Sequence, residues 1–322
     1  VVGARQVEIL LVSDCDNDVD SLRSSFDRTR VSNTVHAVPD GAAALAVLRG
    51  KASSRHDGLP VSPSLILLDL NCPAAHQPTV AAELELLSEL KSDPVLRSIP
   101  VIVVTASSDQ ADVLNAYSSG ACSFVSKPDC PEKRRQLFEQ LADYWAHVSQ
   151  LPRSGSNSDD LFESIIEAAT SDAGVEPVPV LVVDDSEDDI LLLKEAFADC
   201  SLIDLVATAE DGETALRYMR GQTPFADAQR PAIVLLDINM PRMNGFEVLA
   251  EMRSDIRLAQ TPVIMLTTSK QESDILRAYT DGACSFISKP VNFDRMRQIA
   301  RRFALYWTTV AHTPPATAAV SH

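Results

Sequence analysis

No two of the six cysteines (Cys15, Cys72, Cys122, Cys130, Cys200, Cys284) stand in a C-x-x-C pair. Scattered in this way through a long chain, they read as reduced thiols rather than a disulfide framework or a zinc site. A basic surplus is also missing. Lys and Arg number 28 against 45 Asp and Glu, a formal net charge of -17. That balance excludes a nucleic-acid surface, which needs a basic patch. No apolar run approaches the roughly 18 residues of a membrane span. No signal peptide is visible. These absences lead to the expectation of a cytoplasmic chain with neither nucleic acid nor membrane as a partner.

What is present is a repeat. AYSSGACSFVSKP (116–128) recurs as AYTDGACSFISKP (278–290), LLDLN (67–71) as LLDIN (235–239), and Tyr144-Trp145 as Tyr306-Trp307. The period is about half of the 322 residues, so the units are two whole domains rather than solenoid repeats. A hydrophobic content of 45% is enough for two ordinary cores.

The second copy is organised around VLVVDDSEDD (180–189), where a strand-type apolar run ends in carboxylates and a helix pattern starts at once. Ile233 to Leu236 likewise ends in Asp237, and Ser285 to Ser288 ends in Lys289. Carboxylates and an ammonium thus collect at the carboxyl ends of buried strands, the edge where open parallel sheets bind ligands. Like charges crowded together are costly unless a cation joins them. The pattern asks for a metal ion and for a partner to the lysine.

Strands are expected in the first copy near 7–13, 35–38, 65–68, 100–105 and 123–126, with helices near 19–28, 41–50, 81–91, 109–117 and 131–148. In the second copy strands are expected near 180–183, 203–208, 232–237, 262–267 and 284–288, with helices near 188–198, 211–220, 244–254, 272–280 and 292–310. Alternation of this kind means parallel α/β sheets. The expected domains are 1–150 and 178–312, joined by a linker over 151–177 and followed by a disordered tail over 313–322. The linker is either a partly ordered spacer or carries a short docking helix with Leu161, Ile165 and Ile166 on one face. Phe303, Tyr306, Trp307 and Val310 form one stripe, read as core or as a pairing contact.

The order Asp184-Asp185, Asp237, Thr267, Lys289-Pro290 resembles the receiver domains of bacterial two-component response regulators. DINMPRMNG (237–245) is similar to that family's phosphorylation-site loop. The wording around Thr267, Lys289 and Tyr306-Trp307 resembles the small regulators that partner bacterial phytochromes. The resemblance implies two flavodoxin-like (βα)5 domains, each a doubly wound, five-stranded parallel sheet. It implies that Asp237 accepts a phosphoryl group from a sensor histidine kinase. Mg2+ would be held by Asp184, Asp185, Asp237 and the backbone carbonyl of Asn239. Lys289 would pair with one phosphoryl oxygen, Thr267 would donate its hydroxyl to another, and Phe286 would be the switch aromatic.

In the first copy the same resemblance assigns Asp69 as a second phosphoacceptor, with Thr105, Lys127, the switch aromatic Phe124, Asp14 and Asn71. Cys15 is expected at the position of Asp185, leaving Asp14 as a weak metal ligand, because a neutral thiol is a poor ligand for Mg2+. The loop after Asp69 carries Pro73 and Pro78 and lacks a glycine matching Gly245. The first copy is therefore expected to bind Mg2+ weakly and to be phosphorylated poorly or not at all. Restoring Asp at position 15 is expected to raise its metal affinity.

No DNA-binding or cyclase module is legible, so a phosphorelay protein without an output domain is expected. It would catalyse only its own phosphorylation and dephosphorylation. Its implied partners are a sensor histidine kinase, with a bacteriophytochrome as one candidate, and a histidine phosphotransfer protein. Pairing is expected either between the two receivers of one chain or between chains. The alternatives are a phosphorylation-independent scaffold or a phosphate sink. A haloacid-dehalogenase-type phosphatase is disfavoured, because Asn239 stands where that chemistry needs a second aspartate.

Overall fold

The computed structural model describes residues 6–29, 31–50, 63–70, 80–152, 176–198 and 200–315. In the first half, β1 (Gln6–Val12), α1 (Asp16–Arg28), β2 (Ser32–Val38), α2 (Gly41–Leu48) and β3 (Leu65–Asp69) come first. They are followed by α3 (Val80–Ser92), β4 (Val101–Thr105), α4 (Gln110–Ser118), β5 (Ser123–Ser126) and α5 (Pro131–His147). The second half repeats this with β6 (Val178–Val183), α6 (Glu187–Ala198), β7 (Ile203–Ala209), α7 (Gly212–Met219) and β8 (Ile233–Leu236). It closes with α8 (Gly245–Ser254), β9 (Val263–Thr267), α9 (Glu272–Thr280), β10 (Ser285–Ser288) and α10 (Phe293–Leu305).

The sheets have orders β2-β1-β3-β4-β5 and β7-β6-β8-β9-β10. Every strand pair within them is parallel. These are two flavodoxin-like sheets flanked by helices. Their central strands are apolar throughout because helices cover both faces. Val101 to Thr105 and Val263 to Thr267, for example, are buried at every residue. Polar caps set where helices begin. Asp40 accepts from Ala43 N, Asp211 accepts from Thr214 N, and Asn244 and Glu247 form a reciprocal capping box.

The expected element order holds, with local differences, among them β2 beginning at Ser32 rather than near 35. Helix α1 starts at Asp16 rather than near 19, and this fixes the frame of the acidic residues before it. The closing helix does not run unbroken to 310. After Leu305 it widens into a π-helical turn, Tyr306–Val310, in which Ala311 N–H donates to Tyr306 O at 2.8 Å. The wider turn buries Tyr306, Trp307 and Val310 together. The linker helix over 159–170, the 313–322 tail beyond Pro315, and Asn71, Pro73 and Pro78 lie outside the described residues.

The two halves pack through their closing helices and last strands, with near-twofold symmetry. Tyr144 stacks on Tyr306 with centroids 4.2 Å apart and planes 8° from parallel. Trp145 Nε1 donates to Tyr306 Oη at 2.9 Å, and Trp307 Nε1 donates to Tyr144 Oη at 3.2 Å. Each tyrosine hydroxyl donates to a strand serine of the other half, Tyr144 to Ser285 Oγ at 3.0 Å and Tyr306 to Ser123 Oγ at 2.9 Å. Backbone bonds frame this cluster, from Gln150 N to Phe286 O at 2.7 Å and from His312 N to Phe124 O at 2.8 Å. Burial pushes both tyrosine hydroxyls above their ordinary range, so they stay neutral donors.

The symmetry is incomplete: Arg302 Nε pairs with Asp143 Oδ2 at 2.9 Å, where Gln140 and Leu305 hold the matching places. Ser149 Oγ meets Tyr279 Oη at 2.9 Å, whereas Ala311 occupies the matching place and leaves Tyr117 Oη buried without a hydrogen-bond partner.

Away from the interface, Asp255 closes α8 and accepts from Arg257 Nη2 at 3.1 Å and Arg220 Nε at 3.0 Å. The hydrogen bond from Arg257 leads in holding its carboxyl down to about 2. A depressed folded-state value contributes stability that is complete above the unfolded value near 4 and is lost as pH falls through about 2. Screening at exposed Arg257 limits the contribution to about 1 kcal/mol. Urea midpoints of Asp255→Asn are therefore expected to fall below wild type at pH 7. The gap is expected to close between pH 4 and about 2.

Candidate functional site

The residues singled out in the second half meet at the carboxyl edge of β6, β8, β9 and β10, beside the point where strand order reverses. Open α/β sheets hold their ligands at this edge. Each is anchored by a backbone bond to the neighbouring strand. Asp184 N–H donates to Ala209 O at 3.0 Å, Asp237 N–H to Val183 O at 2.9 Å, and Lys289 N–H to Thr267 O at 2.7 Å. Asp184, Asp237, Thr267 and Lys289 are all buried. The Lys289 ammonium reaches Asp184 Oδ2 at 2.6 Å, Asp189 Oδ2 at 2.7 Å and Asp237 Oδ1 at 2.9 Å.

Burial alone would lower the pKa of Lys289. Its hydrogen bonds to Asp184, Asp189 and Asp237 outweigh burial and hold it well above the ordinary range. Asp184 is raised, because burial outweighs the hydrogen bond from Lys289 and the charge of Asp237 adds to it. Asp189 is a site residue that sequence reading missed. It lay in the acidic run 184–189, of which only Asp184 and Asp185 were assigned to the site. The signal was present as an acid five residues after Asp184, one helical turn inward.

Asp237 Oδ2 accepts Asn239 N–H at 2.5 Å, which ties the carboxylate to its own loop. Gly245 is required here by close approach. A Cβ at that position would lie 2.1 Å from Asp237 O. Gly245→Ala is expected to displace the Asp237 backbone and to lower stability by about 3 kcal/mol, the upper part of the overpacking range. Chemical denaturation checks the stability, and the Asp237 amide resonance checks the displacement. Thr267 Oγ1 accepts Ser269 N–H at 3.2 Å, and Phe286 is fully buried on the adjoining strand. Asp185 is exposed at the start of α6. Among the described residues no three His, Cys, Asp or Glu side chains form a ready metal-ligand set. In the second half, Lys289 sits among the carboxylates instead.

The first half builds a different pocket, and the strand ladders correct the expected alignment. Val12 pairs with Leu68 as Val183 pairs with Leu236, so Asp69 matches Asp237 and Ser13 matches Asp184. Asp14 then matches Asp185, and Cys15 matches Ser186. Local bonds agree. Cys15 N–H donates to Ser13 Oγ at 3.2 Å, as Ser186 N–H does to Asp184 Oδ1 at 3.1 Å. Helix α1 starts one residue after Cys15, as α6 does after Ser186. Cys15 therefore does not replace the second acid. Asp14 stands in that place, and the acid lost is the first, replaced by Ser13. Matching aspartate to aspartate by letter had slipped the frame by one residue, and only the inter-strand register could correct it.

Ser13 Oγ donates to Asp69 Oδ2 at 3.0 Å, and Lys127 Nζ reaches the same oxygen at 2.6 Å and Asp18 Oδ2 at 3.1 Å. The other Asp18 oxygen is taken by Arg134 Nη1 at 3.1 Å. Two carboxylates (Asp18, Asp69) are thus paired with two cations, which leaves no surplus charge among the paired groups. In the second half three carboxylates (Asp184, Asp189, Asp237) are paired with Lys289, a surplus of two negative charges among the paired groups of the described residues. Thr105 and Phe124 are buried in the places matching Thr267 and Phe286.

The sequence pattern of the response regulator receiver domain matches residues 9–141 and 180–301, and the chain belongs to that family, with two receivers in tandem. Response regulator Rcp1 from Synechocystis sp. is 29% identical over 146 residues, which are 45% of this chain and 99% of Rcp1. The probable methanogenesis regulatory protein FilR2 from Methanothrix harundinacea is 31% identical over 132 residues, 41% of this chain and 84% of FilR2. Among solved structures, the phosphorylated cyanobacterial phytochrome response regulator RcpA is 36% identical. It covers 43% of this chain and 99% of its own, with a TM-score of 0.41. Each relative corresponds to one half of this chain. No helix among the described residues is long and apolar enough to cross a membrane.

Proposed function

We propose that the chain is a two-component signalling protein in which the second receiver takes a phosphoryl group at Asp237 from the phosphohistidine of a sensor histidine kinase. The first receiver is its regulatory or docking partner. The observation that carries this reading is the buried Asp237 carboxylate held 2.9 Å from Lys289 at the strand-order reversal. A carboxylate oxygen is a competent nucleophile toward phosphorus. As it bonds to phosphorus the P–N bond breaks, and the imidazole leaves and recovers a proton. Lys289 pairs with a phosphoryl oxygen, Thr267 offers its hydroxyl to another, and Phe286 responds as the switch aromatic.

The donor set fits a hard divalent cation such as Mg2+. Asp184, Asp185 and Asp237 offer carboxylate oxygens, Asn239 offers a backbone carbonyl, and the pocket carries surplus negative charge. When bound, the ion supplies neutralisation of charge on the phosphoryl oxygens. Leu191 and Leu192, which follow Asp189 on α6, and Val291 and Phe293, which follow Lys289, are exposed. Asp20, Ser21, Asp129 and Pro131 hold the matching places in the first receiver. That contrast supports kinase docking at the second receiver. The phytochrome-associated relatives make a bacteriophytochrome one candidate kinase, and a histidine phosphotransfer protein is a further candidate partner.

The test is phosphorylation of the full chain by an autophosphorylated histidine kinase and by phosphoramidate, with the labelled aspartate mapped by borohydride reduction and mass spectrometry. Label at Asp237 is expected. Label at Asp69 alone, or none from either donor, would overturn the reading.

A further inference from the structure

We infer that Ser13 and Arg134 make the first receiver a pocket that takes no divalent cation, its own side chains holding the place of the ion. The inference rests on the reading of the second receiver as the metal-binding one. Two independent differences carry it. Ser13 stands where the second receiver has Asp184, so a neutral hydroxyl replaces a carboxylate and spends its proton on Asp69. Arg134 stands where the second receiver has Met296, one turn into the closing helix.

Its guanidinium takes one oxygen of Asp18 while Lys127 takes the other, and Arg134 Nε is fixed by Pro128 O at 3.2 Å. Asp18 is buried, so neither cation is replaced by water. Hard cations are bound by oxygens whose charge is not already compensated, and here an incoming ion also meets two fixed positive side chains. Cys15, expected from the sequence to weaken the site through its thiol, enters this arrangement only through its backbone N–H, which donates to Ser13 Oγ. The first receiver thereby keeps one electrostatic state at every Mg2+ concentration, and only the second responds to the ion.

Changes of this kind in the surroundings of a metal site alter affinity by about 10–100-fold. The test counts Mn2+ bound to the full chain by electron paramagnetic resonance of the free ion, with circular dichroism as the check on folding. Wild type is expected to bind one Mn2+, lost in Asp185→Asn. Ser13→Asp combined with Arg134→Met is expected to gain a second site within about tenfold of the first. Two comparable sites in wild type, or a folded double variant still at one, overturn the inference.

Failure of the second-receiver reading looks different. Wild type then binds no Mn2+, and the double variant decides alone, a gained site supporting the inference and none overturning it. If the double variant does not fold, Arg134→Met by itself leaves the Ser13–Asp69 bond intact. It is expected to open a second site, about tenfold or more weaker than the first and absent from wild type, and no gain overturns the inference.

Discussion

Asp237→Asn is expected to reduce phosphoryl labelling of the chain to background while leaving the fold intact or slightly stabilised in the absence of divalent cations. The asparagine keeps the shape of the side chain and can still accept from Asn239 N–H, but its amide is no nucleophile toward phosphorus. The stability change separates this role from a structural one. If the Asp237–Lys289 pair existed to hold the fold, removing one partner would cost about 3–5 kcal/mol. In this pocket three carboxylates share one ammonium, so removing one charge still leaves Lys289 bonded to Asp184 at 2.6 Å and to Asp189 at 2.7 Å. It also relieves Asp184, whose carboxyl is already raised by burial and further by the charge of Asp237. A gain of about 1 kcal/mol is the expected size for removing a crowded like charge. Urea denaturation in EDTA reads it, beside the labelling assay. A large loss of stability with labelling retained would make Asp237 a structural residue. Asp69→Asn is expected to leave labelling nearly unchanged.

Trp307→Ala is expected to loosen the pairing of the two receivers. Trp307 is buried, packs edge-on against Tyr306 with centroids 5.5 Å apart, and donates to Tyr144 Oη at 3.2 Å. Deleting a buried tryptophan costs about 3–5 kcal/mol. Here part of the loss falls on the interface, since Tyr144 loses a donor and the Tyr144–Tyr306 stack loses its flank. The expected results are a larger radius of gyration in small-angle scattering, slower sedimentation at unchanged mass, and two unfolding transitions in place of one. Trp307→Phe keeps most of the apolar contact and loses only the N–H, so a cost of about 1 kcal/mol and an unchanged shape are expected. A wild-type scattering profile for Trp307→Ala would show that this contact does not hold the halves together.

Most of the architecture was legible because it is local. Strand runs such as Val263 to Thr267, helix starts at Asp40, Asp211 and Asn244, and the repeated SKP signals each depend on a few neighbouring residues. Reading Asp237 and Lys289 at strand ends needed only the rule that parallel sheets present their carboxyl edge to ligands, and Thr267 entered through the family resemblance. The duplication made both halves visible at once.

What the chain could not disclose by itself is non-local. Asp189 and Asp18 became lysine partners only when their helices were laid beside the last strands. Arg134 entered the first pocket because α5 packs against α1, more than a hundred residues earlier. The frame of Ser13, Asp14 and Cys15 was ambiguous by one residue in the letters, and the ladder from Val12 to Leu68 resolved it. The stripe from Phe303 to Val310 was equally compatible with core and with pairing, and packing divided it: Phe303 lies against Phe197 of its own receiver, while Tyr306 and Trp307 contact the other receiver. Periodicity and capping thus determined two (βα)5 domains and the edge that carries their chemistry. The difference between their two pockets depended on which side chains the fold brings into reach, because charge compensation acts through space and leaves no period in the sequence.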